Sequence, residues 1–183
     1  FGQARAINTF LEAIIRLVGL NIVKSLGLSI AVAGIFDTSA CKGFDLSAYW
    51  HTALGTAMLS RLLAERITSS QRPDVDSVYL CGLLHNLGTL FLAHALPEPL
   101  SKVLAEMEKQ PDQNLRALEV EYLDTDHLQA GEWLARRWHL PEPVVEAIGC
   151  FDDADYIGQY PAHVCVVSSA SGWVTAQMRH QEN

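Results

Sequence analysis

Positive charge is scarce in this chain: 13 Lys and Arg stand against 21 Asp and Glu, a formal net charge of −8. Nucleic-acid binding rests on clustered cations that displace counterions from phosphates, so this balance argues against a DNA or RNA partner. The short basic group Arg136-Arg137 is better read as a solvated helix end. Cysteine is also sparse. Cys41, Cys81, Cys150 and Cys165 make no CxxC spacing, which argues against a zinc knuckle or a disulfide framework. Their settings suit small buried side chains in a reducing compartment. No long apolar run is clean enough for a membrane span: Leu17 to Phe36 contains Gly19, Asn21, Lys24, Ser25 and Gly27, and Ala162 to Met178 carries His163 and several serines. No basic segment precedes an apolar run at the start, so no secretory leader is visible, and the expectation is a cytoplasmic protein without membrane insertion. Gly82 and Gly88 do not make a phosphate-binding loop, and Ser47, Ser60 and Ser168 lack the elbow context of a nucleophile. Alternating strand patterns, internal repeats and low-complexity segments are missing as well.

What is present reads as helix. The composition, 49% hydrophobic and 19% charged, is that of a globular protein rather than a disordered one. The length suits one domain, residues 1–183. Thr9 with Glu12 makes a capping box ahead of Ile14, Ile15, Leu17 and Val18, and Asn21 can cap a second helix through Ile30. After a loop from Gly34 to Asp45, Asp45 caps a long helix from about Leu46 to Ile67. Pro73 and Asp74 start the next, which reaches Leu87 and breaks at Gly88. A short helix, Thr89 to Ala95, ends before Pro97; another runs to about Lys109, and Pro111 to Asn114 is a linker. The pattern resumes at Leu115, is interrupted near Asp124-Thr125-Asp126 by a new N-cap, and ends again at His139-Leu140-Pro141. Glu142 to Cys150 and Pro161 to Met178 complete an all-α, multi-helix bundle.

Three histidines fall on apolar stripes. His51 is followed by Leu54, Met58 and Leu62 at helical spacing, which points it at the core. His85 follows Val78 and Cys81. His127 precedes Ala130, Gly131, Leu134 and Trp138, and the small pair Ala130-Gly131 would let another element approach closely. His94 and His163 pass the same test. Converging imidazoles could hold a metal, bind an anionic ligand, or bond to each other and to carbonyls, and periodicity does not choose among these. Glu119, eight residues before His127, could hydrogen-bond an imidazole or be a surface carboxylate beside Arg116. Trp50, Trp133, Trp138 and Trp173 could line a ligand groove or anchor helix packing, and Trp138 suits a helix-end corner.

The segment from Tyr49 to Ala57 around His51, with the later Leu80 to Gly88 around His85-Asn86, resembles the HD superfamily of metal phosphohydrolases. There a first His is followed by a His-Asp pair ending the next helix. The run Asp126-His127, Gly131, Trp138, Leu140-Pro141 and Ala147-Ile148 resembles its HDOD branch more specifically, as does Ile7-Asn8-Thr9 through Gly19; the likeness spans about residues 3–178. It implies an HD-like helical bundle, and further helices that normally precede the segment matching Phe1, whose absence would leave an apolar patch exposed near the N-terminal helices.

Two departures qualify the resemblance. Where HD enzymes carry the Asp that follows the second His, this chain has Asn86, and the last-helix Asp ligand aligns with Ser171. A His-His pair of metal-dependent members is replaced by Cys150-Phe151. Losing two carboxylates deprives a hard divalent cation of its oxygen ligands. The resemblance therefore implies a vestigial pocket at His51, His85, Asn86, His127, Glu119 and Ser171, with no catalytic residue and no cofactor. A lone transition metal on His51, His85 and His127 is the weaker option. The expected role is signal transduction through a protein partner, in the setting of two-component or cyclic-dinucleotide systems, or ligand sensing at the old pocket. The alternative is a residual metal-dependent phosphohydrolase with a His-only site.

Overall fold

The computed structural model describes residues 34–181. The chain divides into two units, Phe1–Ile35 and Phe36–Asn183, and the second carries every helix from Leu46 to Gln181. The capping box at Thr9 and the cap at Asn21 lie outside the described residues, as does the patch expected near the N-terminal helices.

Among the described residues the structure is helical without strands: α1 Leu46–Arg66, α2 Val75–Leu84, α3 Leu87–Ala95, α4 Pro97–Lys109, α5 Leu115–Leu123, α6 His127–Arg137, α7 Glu142–Cys150 and α8 Pro161–Gln181. The short polar residues ahead of four of these helices do the capping. Asp45 accepts from the amides of Ser47 and Ala48 at 2.8 and 2.9 Å, Asp74 from Ser77 at 2.7 Å, Asn114 from Ala117 at 3.1 Å, and Asp126 from Gln129 at 2.8 Å. Each satisfies an amide that the first helical turn leaves open, for about 1 kcal/mol. Helix α6 closes with Leu140 N–H on the Ala135 carbonyl and His139 N–H on that of Arg136, both at 3.0 Å. His139 takes the left-handed conformation, φ 55°, that this closure demands and that glycine usually supplies. Trp138 then stacks on Phe36 with ring centroids 6.0 Å apart, the packing corner expected of it.

One boundary moves. The helix expected to run from Pro73 to Leu87 stops at Leu84, and α3 begins at Leu87, so the break falls at His85-Asn86 and not at Gly88. Gly88 is used for contact instead of termination. A Cβ placed there would lie 1.8 Å from the carbonyl oxygen of His127, and one on Gly131 would lie 2.6 Å from Ile148 Cγ2. The two glycines let α3 and α6 cross nearly backbone to backbone, with α7 behind.

Helix α1 packs on α2 and α8, α2 also on α7 and α8, and α4 on α5. The core holds Leu83, Leu84, Leu87, Leu90, Leu92, Leu100 and Ile148 fully buried. Each contributes about 2 kcal/mol by removal from water. The stretch Val75–Ala95 is long and apolar enough to cross a membrane by length and composition, but 67% of its most apolar 18-residue window is buried inside the protein and the turn at His85-Asn86 interrupts it. Core packing accounts for its apolarity. Cys41 and Cys81 are buried as expected; Cys150 is half-buried and Cys165 exposed, which corrects the reading of all four as core residues.

Candidate ligand pocket beside the α2–α3 turn

His85 sits at the end of α2 with 2% of its surface exposed. Its Nδ1 is 2.7 Å from the Gly82 carbonyl and its Nε2 is 3.2 Å from the Ser171 hydroxyl on α8. A carbonyl only accepts, so Nδ1 carries the proton, and the Ser171 hydroxyl donates to the lone pair of Nε2. Burial pushes the imidazole down to about 4, against a smaller upward pull from the Gly82 carbonyl and with a further downward push from His127. His85 is therefore neutral at pH 7. The ring of Phe151 meets it edge-on at 4.9 Å.

His127 is the first residue of α6 and is buried. Its Nδ1 lies 2.6 Å from Glu119 Oε2, which also accepts the backbone N–H of His127 at 3.0 Å. Glu119 is fully buried, so of its two sequence readings the imidazole partner holds and the surface one does not. Its Oε1 has no hydrogen-bond partner. The carboxylate accepts the Nδ1–H, and Nε2 has no partner among the described residues. Arg116 turns away from Glu119 to Asp126, with Nε and Nη2 at 3.1 and 3.0 Å from Asp126 Oδ2.

Asn86 is half-buried, and its Oδ1 accepts the Thr89 hydroxyl at 2.6 Å. His85, Asn86, His127 and Ser171 share one cavity of about 660 Å³, joined there by Arg116 and Arg179. Glu119 stands behind His127 and is not part of the lining.

His51 does not join them. It is exposed, in a shallow groove with Met58, Leu62 and Trp173, and its neighbour Thr52 faces the cavity instead. The buried stripe of α1 begins at Tyr49 and from there runs through Ala53, Thr56, Ala57, Ser60 and Ala64, all small. These small residues let α2 come in so closely that a Cβ on Gly82 would lie 2.8 Å from Ala57 Cα. The stripe of larger apolar residues that includes His51 is the wrong face. His94 is exposed as well, and His163 is half-buried. Sequence reasoning missed Thr52, Arg116 and Arg179. Nothing in local spacing marks them, because they come from three helices.

The metals that the HD likeness implies do not fit this donor set. One imidazole lone pair is taken by Ser171, Asn86 offers an uncharged amide, and the third imidazole, that of His51, lies on another face. Among the described residues no group of three or more His, Cys, Asp or Glu could hold a metal ion.

A sequence model of the HDOD domain matches residues 1–154. The chain belongs to the HDOD domain family. It is 34% identical over 148 residues to an uncharacterized protein of Treponema pallidum (strain Nichols), a stretch that covers 81% of this chain and 28% of that protein. Among solved structures it resembles a candidate signal transduction protein from Marinobacter aquaeolei VT8, with TM-score 0.81, 25% identity, and coverage of 95% of this chain and 38% of that one. An HDOD domain protein of unknown function from Geobacter sulfurreducens gives 0.75, 26%, 96% and 57% for the same quantities. A candidate phosphohydrolase from Shewanella amazonensis SB2B, at 21% identity and TM-score 0.77 over 94% of this chain and 61% of that one, shares the fold. The HDOD chain thus spans less than two thirds of the length of these relatives.

Proposed function

We propose that this HDOD chain is a non-catalytic regulatory domain, acting through a protein partner or a small ligand at a former HD pocket. The observation that carries the reading is the pairing of the Ser171 hydroxyl with His85 Nε2, which occupies the lone pair a metal would need. The lining supports it further, since Asn86 and Ser171 supply no negative charge to hold a hard divalent cation. A residual phosphohydrolase would need His51 in the cavity, and His51 is on another face. The similarity to a candidate signal transduction protein points the same way.

The test is turnover of p-nitrophenyl phosphate and bis(p-nitrophenyl) phosphate with Mg²⁺, Mn²⁺ or Ni²⁺ added in turn. The expected result is no rate above background. Chelator-sensitive hydrolysis that disappears in His127→Ala would overturn the proposal.

A further inference from the structure

The cavity that fails as a metal centre is well furnished for another kind of guest. Two of the 13 Lys and Arg of this acidic chain, Arg116 and Arg179, stand on its wall, from α5 and α8. The Nη1 of Arg116 has no protein acceptor among the described residues, because Asp126 engages only Nε and Nη2. The rest of the wall is rich in neutral hydrogen-bonding groups, with the hydroxyls of Thr52, Ser168 and Thr175 and the amides of Asn86 and Asn114; its one acid is the exposed Asp152. His127 adds the decisive group. It is more than nine-tenths buried, its Nδ1–H is committed to Glu119, and its Nε2 has no hydrogen-bond partner among the described residues.

We infer that this pocket binds a small organic phosphate bearing hydroxyl groups, of the sugar phosphate or nucleotide class, and keeps it intact. The phosphate lies against the guanidinium groups of Arg116 and Arg179, whose planar forks suit its oxygens. A polar atom of the ligand pairs with His127 Nε2, and the Ser, Thr and Asn side chains take the remaining polar atoms. A volume of about 660 Å³ is ample for a mononucleotide. The inference rests on the non-catalytic reading of the same site, since it names what the pocket holds rather than what it cleaves.

The experiment is titration of the protein, in chelator, with ribose 5-phosphate, adenosine 5′-monophosphate and inorganic phosphate, followed by calorimetry and by ³¹P NMR. At least one ester binds saturably and more tightly than inorganic phosphate, and its phosphorus signal stays that of the intact ester. Arg179→Gln weakens this binding about tenfold or more. Asn86→Asp, nearly the same shape with a new negative charge in the wall, weakens it comparably, so the result does not depend on a single variant. Absence of saturable binding by any of the three up to about 10 mM, too weak for a built site, overturns the inference and leaves the non-catalytic reading standing. So does binding that both variants leave unchanged. Release of free phosphate in a parallel sample with divalent cation would sink the non-catalytic reading while confirming the ligand class.

Discussion

The hydroxyl of Ser171 meets Nε2 of His85 at 3.2 Å, joining side chains 86 positions apart in the chain. It brings α8 onto the end of α2 and satisfies both ring nitrogens of a fully buried imidazole, since Nδ1 already donates to Gly82. The His85 side of the site is thus complete by internal bonding. The chemistry there is that of a satisfied core on one side, at His85, and an unpartnered ring nitrogen on the other, at His127.

If two lost acids are what separates this pocket from a metal centre, restoring them should restore metal binding. The double variant Asn86→Asp/Ser171→Asp is expected to fold less stably without metal, because it buries like charges and strips His85 of its donor. With Mn²⁺ at about a hundredfold excess over Kd it should regain about 3 kcal/mol. Thermal melting with and without Mn²⁺ checks this. A melting temperature in the double variant that ignores Mn²⁺ would show that more than these two positions was lost.

Gly88→Ala should be among the most damaging single substitutions. The new methyl group would sit on the His127 carbonyl, 1.8 Å away, and 2.7 Å from the Gly131 amide nitrogen, both backbone atoms that cannot swing aside. Helices α3 and α6 would have to separate, at a cost of about 3 kcal/mol. Urea unfolding measures it, and a loss below about 1 kcal/mol would mean the crossing is looser than the geometry says.

Most of the fold was legible in the sequence because caps are local. Asp45, Asp74 and Asp126 each sit at a helix start that the sequence pattern marks, whereas Asn114, read there only as the end of a linker, caps α5 in the structure. The site was legible only in part. His85, Asn86, His127 and Ser171 converge, but His51 was placed by counting large apolar residues along α1, whereas close helix packing chose the small ones, Ala53 to Ala64. The same misjudgement put the α2 break at Gly88: a glycine with no Cβ serves a helix crossing as readily as a helix end. Arg116 and Arg179 became site residues only through tertiary contact, which spacing does not encode.

Arg116→Gln tests the wall of the pocket as structure. Burial pushes the Asp126 carboxyl up, but the Gln129 amide and then the Arg116 guanidinium outweigh it, and the net effect holds it below its usual 3.8. A carboxyl depressed in the folded state stabilises above its unfolded value and loses that contribution as pH falls through the folded one. Removing the cation shrinks the depression. Stability at pH 7 should drop by about 1 kcal/mol, discounted because Arg116 is 44% exposed, and the midpoint of acid unfolding should move to higher pH. Circular dichroism across an acid titration reads both; an unchanged acid midpoint would assign the hold on Asp126 to Gln129 alone.

His85 should make the protein lose stability in mild acid. Its folded value, about 4, lies below the ordinary 6.5 of an exposed imidazole. Between those limits the unfolded chain takes up a proton that the folded one refuses, so the contribution is full above pH 6.5 and drains away as pH falls toward 4. The shift corresponds to about 3 kcal/mol over that window. His163, also lowered by burial, adds to the same trend, so the total slope does not isolate His85. His85→Gln does: its amide can still donate toward Gly82 and accept from Ser171, but it cannot titrate. Urea unfolding of both proteins at pH 7, 6 and 5 gives the comparison. The wild type should hold its largest advantage at pH 7 and surrender most of it by pH 5, whereas a gap that stays constant with pH would mean that His85 is not held neutral by its burial.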